Sequence, residues 1–189
     1  LLHFVVLVTL SCVLSAQFFQ VEQGAGYADA VYYDIATRSS TFVGHTSWDI
    51  AFNVGGRSSG ILVNEGIASS RTEPLRSTEL YVSSATDFAT ADTTQITARV
   101  YNGEASWDDG AFNVPAISGD PFDLGWGNYS TATQTVLGSR VFFVVTPDAL
   151  YHKLFVRSLA GGAYTFIHGP LDGSTTDTIT ITKEEFIGK

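Results

Sequence analysis

The first side chains to consider for chemistry are three carboxylates within six residues, Glu104, Asp108 and Asp109. A glycosidase uses such groups as acid and base, but they must face each other across a sugar, about 5 to 10 Å apart. Asp108 and Asp109 are adjacent in the string "SWDDG", and neighbours on one turn seldom reach that geometry. We therefore interpret this cluster as a solvated hairpin tip and predict that the chain is not an enzyme.

Other signatures of catalysis or metal binding are weak. The strings "GDPFDLG" and "LDGSTTD" carry the oxygen donors that calcium favours, but neither has the spacing of a known calcium loop. No Ser–His–Asp order, phosphate-binding loop or zinc-ligand spacing is visible. The formal charge is −9, with ten scattered Lys and Arg residues, which predicts no nucleic-acid partner.

The elements that must position any site are short strands. Aromatic residues make up 13% of the chain and it contains 18 glycines, a composition typical of β-structure with many turns. We predict strands at residues 30–35, 47–52, 60–64, 78–82, 95–101, 133–137, 140–146, 151–157, 163–168 and 177–182. Turn signals separate several of them. The pattern predicts an all-β fold, an antiparallel multi-stranded sandwich or a partly open barrel.

The C-terminal third is the most regular part. In "RVFFVVT" the apolar residues occupy both faces, which predicts a central strand that is covered above and below. In the next strand His152 shares a face with Leu154 and Val156, so we interpret His152 as a histidine at the edge of the core. The string "PDAL" between the two strands fits a hairpin connection.

Two further stretches need an interpretation. Residues 117–133 contain three glycines, Trp126 and Tyr129, and we predict a long loop whose aromatic side chains either line a pocket or cover the core. The strings "SWDIAFNV" and "SWDDGAFNV" are similar, but their flanking residues do not match. A duplicated unit should match over its whole period, so we interpret the similarity as coincidental.

The N-terminus is apolar through Leu14 and then meets the small residues Ser15 and Ala16. This pattern predicts a secretory signal peptide over residues 1–16, with the mature domain over residues 17–189. Acylation of Cys12 as a lipid anchor is the less favoured alternative. Because no Met precedes the segment, we expect the sequence to begin inside the signal peptide and to be incomplete at the C-terminus as well. The signal is too short to span a bilayer, so no transmembrane segment is predicted.

Two sets of strings carry a resemblance to a known family. "SWDIAFNVGGRSSGILVNEG", together with "SRVFFVVTPDALYHKLFVRSLAGGAYTFIH", resembles the HmuY-like haem-binding proteins of Bacteroidetes-type bacteria over residues 32–168. The resemblance implies an exported or cell-surface protein for iron acquisition. Such a protein binds haem or another tetrapyrrole and delivers it to a TonB-dependent outer-membrane receptor. It also implies that the Trp48 and Phe142 strands lie in neighbouring layers whose loops frame a cavity.

The family's iron ligands, pairs of His or Met, are not matched here, since residues 47–139 contain no His and the chain contains no Met. Haem iron takes an axial His, Cys, Met or Tyr. The remaining axial candidates are Tyr129, in the loop where the family has a histidine, and, outside that loop, His45, His152 and His168. We predict a haem site built from Tyr129, His168, Trp126 and His45. Arg140, Lys153 and Arg157 are candidate partners for the propionates. The alternative is a ligand-free structural or adhesive module, or a glycan-binding module that uses exposed aromatics such as Trp107 and Trp126.

Overall fold

The computed structural model describes residues 29–66 and 77–187, and the regular secondary structure in these ranges is almost entirely β. The strands in these ranges are β1 (Asp29–Asp34), β2 (Ser39–Gly44), β3 (Ile50–Phe52), β4 (Ile61–Val63), β5 (Glu79–Ser83), β6 (Ile96–Val100), β7 (Gly127–Ser130), β8 (Thr135–Gly138), β9 (Phe142–Val145), β10 (Tyr151–Ala160), β11 (Ala163–Pro170) and β12 (Asp177–Thr182). Short 3₁₀ helices occupy Thr93–Gln95 and Lys183–Phe186. Every strand pair is antiparallel. The predicted fold class is confirmed.

The largest sheet has eight strands, of which six follow the order β12–β11–β10–β9–β5–β6. The long strand β10 has two neighbours along one edge. Its first half pairs with β9, and Ser158 and Leu159 pair with β8, which in turn pairs with β7. A β-bulge between Val156 and Ser158 lies where the neighbour changes. Bulges increase local twist, so this one favours the curl of the sheet.

The strand β9 is covered on both faces, as its sequence predicts. Phe142 and Val144 belong to the main core, between the large sheet and the elements opposite it. Val141 and Phe143 belong to a second cluster, which the segment containing Ala85 covers on the outer face. Complete burial of each such side chain stabilises the fold by about 1.5–3 kcal/mol.

The hairpin β3–β4 forms a second layer against the inner face of the large sheet. Phe52 of β3 stacks on Phe166 of β11, with ring centroids 5.1 Å apart, and lies 4.9 Å from the ring of Tyr164. Ile61 and Val63 of β4 are buried in the same core. The expectation that the Trp48 and Phe142 segments lie in neighbouring layers is therefore confirmed.

The two similar strings adopt different structures. The first provides β3, although its strand is limited to Ile50–Phe52. The second turns at Trp107–Asp108 and contains no strand. It then passes close to β4, since a Cβ at Gly110 would lie 2.1 Å from the carbonyl oxygen of Ile61. Only glycine fits there, and the two strings are not structural repeats.

The sequence interpretation missed two strands. β2 pairs with β1 in a separate hairpin, and "SSTFVG" contains too few apolar residues to signal a strand. The predicted loop over residues 117–133 is wrong at its C-terminal end, because Gly127–Ser130 forms β7 and pairs with β8. A mostly exposed strand of four residues carries little hydrophobic periodicity, so β7 is recognised by its pairing with β8 and not by its sequence pattern.

The predicted signal peptide, residues 1–16 with Cys12, lies outside the described residues. Across residues 29–66 and 77–187, no helix has the length and apolar character needed to cross a membrane.

Candidate functional site

A cleft of about 400 Å³ opens at one end of the sandwich, between the β3 segment and the large sheet. We call it the imidazole cleft. Its apolar walls are Trp48, Ile50, Val144, Leu154 and Phe166, and its polar groups are Asp49, Thr146, His152 and His168. An apolar pocket with a few polar groups, within about 300–1,000 Å³, is the usual form of a small-molecule site.

The register of three strands brings the two histidines to this cleft. His168 of β11 pairs with Leu154 of β10, while His152 pairs with Val144 of β9. Because directly paired residues point to the same face of a sheet, His152 and His168 both extend the inner apolar face. They are diagonal neighbours across β10 and β11. Within the described residues neither imidazole has a hydrogen bond or an ion pair at salt-bridge distance.

Aromatic and hydrogen-bonded neighbours shape the rest of the cleft. The rings of Phe166 and His168 lie 6.0 Å apart at a tilt of 32°. Trp48 is half-buried and presents a large aromatic surface to the cleft. Asp49 accepts a hydrogen bond of 2.8 Å from the hydroxyl of Thr78. This hydrogen bond links the segment just before β3 to the segment just before β5.

His45 lies near the cleft but not in its wall. Its carbonyl oxygen accepts a hydrogen bond from the side-chain amide of Asn64, which also donates to the carbonyl of Trp48 at 2.7 Å. A Cβ at Gly66 would lie 2.6 Å from Nδ1 of His45. His45 is thus packed against the end of the β4 segment, behind the turn that carries Trp48.

The two aromatic candidates in residues 117–133 lie elsewhere. Trp126 is 0% exposed and donates from Nε1 to the carbonyl of Ser59 at 3.0 Å, which places it in the core. Tyr129 lines a different cavity, together with Leu159 of β10. Leu159 is five residues along β10 from Leu154, the partner of His168, a separation of about 17 Å. The structure therefore does not bring Tyr129, Trp126 and His168 into one site.

The basic residues considered for propionates are also away from the imidazole cleft. Arg140 lies 3.5 Å from Asp123 in an ion pair. Lys153 is 2% exposed, and its ammonium lies over the ring of Phe88 on the outer face of the sheet. Arg157 is exposed. The charged ends of an anionic ligand in this cleft would have to remain in water.

Two of the carboxylates considered for catalysis and calcium binding, Asp108 and Asp123, are hydrogen-bonded to neighbouring groups of the fold. Asp108 accepts hydrogen bonds from Nδ2 of Asn53, at 3.1 Å, and from the hydroxyl of Ser58. Asp123 is buried and accepts from the backbone of Gly125 and Ile117. The described ranges contain no group of three or more His, Cys, Asp or Glu residues that could hold a metal ion.

The sequence offered both His168 and His152 as candidate ligands and favoured His168, but it did not predict that the two lie side by side. The missing information was the register of β11 against β10, which no local pattern specifies.

Comparison of the chain with protein-family models, with curated proteins and with solved structures found no match.

Proposed function

We propose that this chain binds haem or a related tetrapyrrole in the imidazole cleft, as cargo rather than for catalysis. The observation that carries the proposal is the pair of imidazoles, His152 and His168, on the wall of an otherwise apolar, aromatic cleft. Both lack a hydrogen-bonding partner in the described residues, so their nitrogens are available to a ligand. Imidazole is a common axial ligand of haem iron.

The residues of the cleft fit part of a macrocycle. Trp48 offers an aromatic surface on which a flat ring can stack, and Phe166 contributes to the apolar wall of the cleft. The two imidazoles lie on the same sheet face, so they cannot grip one iron atom from opposite sides. A single His is sufficient as the proximal ligand in globins and peroxidases. We assign this role to His168, because Phe166 packs beside its ring.

The test is a titration of haemin into the purified chain, followed by absorption in both redox states. We expect a sharp, shifted Soret band from the wild type. His168→Ala should abolish or shift it, and His152→Ala should alter it to a smaller extent. His45→Ala is the matched control, because His45 lies outside the cleft wall and its loss should leave the spectrum unchanged.

Two results contradict the proposal in different ways. No shifted band from the wild type, in either redox state, would exclude haem binding. A band that survives the double substitution of His152 and His168 but disappears in Tyr129→Phe or His45→Ala would place the ligand elsewhere. Circular dichroism of each variant must match the wild type, so that loss of binding is not loss of fold.

The remaining parts of the proposal follow the family resemblance: a secreted or cell-surface location, and delivery of the ligand to a TonB-dependent outer-membrane receptor. Delivery requires that the ligand leave readily. The open position of the cleft at the end of the sandwich supports this, since the ligand's polar edge would stay in solvent. Transfer of haemin from the loaded chain to apomyoglobin, followed by stopped-flow absorption, measures the release rate. Release slower than the spontaneous loss of haemin from globins would contradict a delivery role.

A further inference from the structure

A second recess lies at the opposite end of the sandwich, beside the turn that joins β10 to β11. It consists of two adjoining cavities that share Arg57 and Ser59, one of about 640 Å³ and the other of about 590 Å³. We call it the arginine groove. Asn53 and Asp108 line the first cavity, and Tyr129, Gln134 and Lys183 are among the residues that line the second.

Two basic side chains, Arg57 and Lys183, line the groove in a chain whose net charge is −9. Within the described residues, Arg57 has neither a salt bridge nor a side-chain hydrogen bond. Lys183 is 6% exposed, and its ammonium donates to the carbonyl oxygens of Ser58 and Gly56. Burial lowers the pKa of Lys183, because desolvation disfavours the charged ammonium, and the carboxylate of Asp108 partly opposes this effect.

The groove also carries groups that suit a hydroxyl-rich ligand. Tyr129 is 36% exposed and offers a ring face with a polar hydroxyl. The Asn53 amide and the Asp108 carboxylate are already joined by a hydrogen bond of 3.1 Å, which holds both in place. Gly161 and Gly162, in the turn between β10 and β11, line the second cavity, and a Cβ at either position would meet nothing within 4 Å.

We propose that the arginine groove binds a carboxylate-bearing saccharide, with Arg57 pairing with the carboxylate and Tyr129 supporting the apolar face of a sugar ring. A guanidinium matches a carboxylate through two parallel hydrogen bonds. The carboxylate of Asp108 and the amides of Asn53 and Gln134 complement sugar hydroxyls, which both donate and accept.

A phosphorylated ligand fits the groove less well. The Asp108 carboxylate lines the same cavity as Arg57, and it would repel a phosphate dianion more strongly than a single carboxylate. Asp108 can instead accept hydrogen bonds from hydroxyl groups. A simple inorganic anion is also disfavoured, because it would make no use of the Tyr129 ring or the Gln134 amide.

The test is calorimetric titration with uronic-acid oligosaccharides of three types, from hyaluronan, pectin and alginate, and with the neutral oligosaccharide of chitin. We expect at least one acidic oligosaccharide to bind with a Kd below about 1 mM, more weakly at high salt, and the neutral one to bind at least about tenfold more weakly. Arg57→Gln should weaken the binding of the acidic oligosaccharide by about tenfold or more. Tyr129→Leu should weaken the binding of both the acidic and the neutral oligosaccharides.

Two control variants test whether an exposed arginine or an exposed aromatic ring outside the proposed contacts could account for the binding. Arg157→Gln removes an exposed arginine of β10 outside the groove and should leave binding unchanged. Trp107→Ala removes a tryptophan that is 70% exposed next to Asp108, and it should have a smaller effect than Tyr129→Leu. Absence of binding by all three acidic oligosaccharides, or equal affinity in wild type and Arg57→Gln, would overturn the proposal. Displacement of the saccharide by inorganic phosphate at equal concentration would do so as well.

The two ligand sites can fail independently. Arg57→Gln should leave the haemin spectrum unchanged, and His168→Ala should leave saccharide binding unchanged. If a saccharide binds equally to wild type and Arg57→Gln but does not bind to His168→Ala, its site is the imidazole cleft. That result would refute the proposal for the arginine groove.

Discussion

Trp126 and Trp107 form a natural pair for a stability experiment, because both were candidates for ligand contact and the structure places them in opposite environments. Trp126 is 0% exposed, whereas Trp107 is 70% exposed. The ring of Trp126 lies 6.2 Å from that of Tyr164, and its Nε1 donates to the carbonyl of Ser59. We predict that Trp126→Ala strongly destabilises the fold and that Trp107→Ala does not.

The magnitude follows from the buried surface. An aromatic side chain buries about 150–250 Å², and at about 25 cal/mol per Å² this corresponds to roughly 4–6 kcal/mol as an upper estimate. Core replacements of Trp or Phe by Ala cost about 3–5 kcal/mol. The lost hydrogen bond adds about 1 kcal/mol, although Ser59 keeps Asn113 as a donor to the same carbonyl. We therefore expect a loss of about 4–6 kcal/mol for Trp126→Ala, and less than about 0.5 kcal/mol for Trp107→Ala.

Urea unfolding, followed by circular dichroism, measures both values. If Trp126→Ala does not fold, Trp126→Phe serves instead, with an expected loss of about 1–3 kcal/mol from the smaller ring and the missing donor. Trp126→Phe should also bind haemin as the wild type does, since Trp126 does not line the imidazole cleft. A loss for Trp126→Ala within about 1 kcal/mol of that for Trp107→Ala would refute the placement of Trp126 in the core.

Two further predictions concern backbone packing and alkaline pH. Gly138→Ala would place a Cβ 1.9 Å from the carbonyl oxygen of Val156, so urea unfolding should show a loss of stability of about 3 kcal/mol or more. The control is Gly119→Ala: a Cβ there would meet no atom within 4 Å, so this substitution should cost only about 1 kcal/mol, for the positive φ. Equal losses for the two variants would contradict the close packing at Gly138. The hydrogen bond to Glu79 raises the pKa of Tyr81 to about 12. The stability that this hydrogen bond contributes is therefore complete below about pH 10 and is lost as the pH rises to about 12. Unfolding at pH 9 to 12 should show a loss of about 1 kcal/mol, after allowance for solvent screening, and a smaller loss in Tyr81→Phe.

The sequence predicted the fold class and most strands because hydrophobic alternation is a local property. The two-sided apolar pattern around Phe142 placed β9 in the middle of the sheet, and the connection after it is a hairpin, with Thr146 N donating to the carbonyl of Leu150 at 3.0 Å. The same reasoning missed β2 and β7, whose exposed residues carry little periodicity. Those two strands are defined by their pairing with β1 and β8, and strand pairing is a long-range property that the local sequence does not show.

The candidate site was only partly predictable for the same reason. His168 was named from its position at the end of a strand, but its proximity to His152 depends on the register of β11 against β10. Trp126 and Tyr129 were grouped because they are three residues apart in the chain. In the structure one lies in the core and the other at the arginine groove, because β7 begins at Gly127 and the chain emerges from the core there.

The two proposed sites are carried by the same pair of strands, and this arrangement has a functional consequence. The inner face of β10 and β11 between the sites is filled by Leu154, Val156, Tyr164 and Phe166, all buried in the main core. A ligand at one end therefore meets a close-packed interior and not a channel to the other end. Occupancy of the imidazole cleft should leave affinity at the arginine groove unchanged unless the sheet itself moves. A saccharide titration of the haemin-loaded chain that shows altered affinity would require such a movement of β10 and β11.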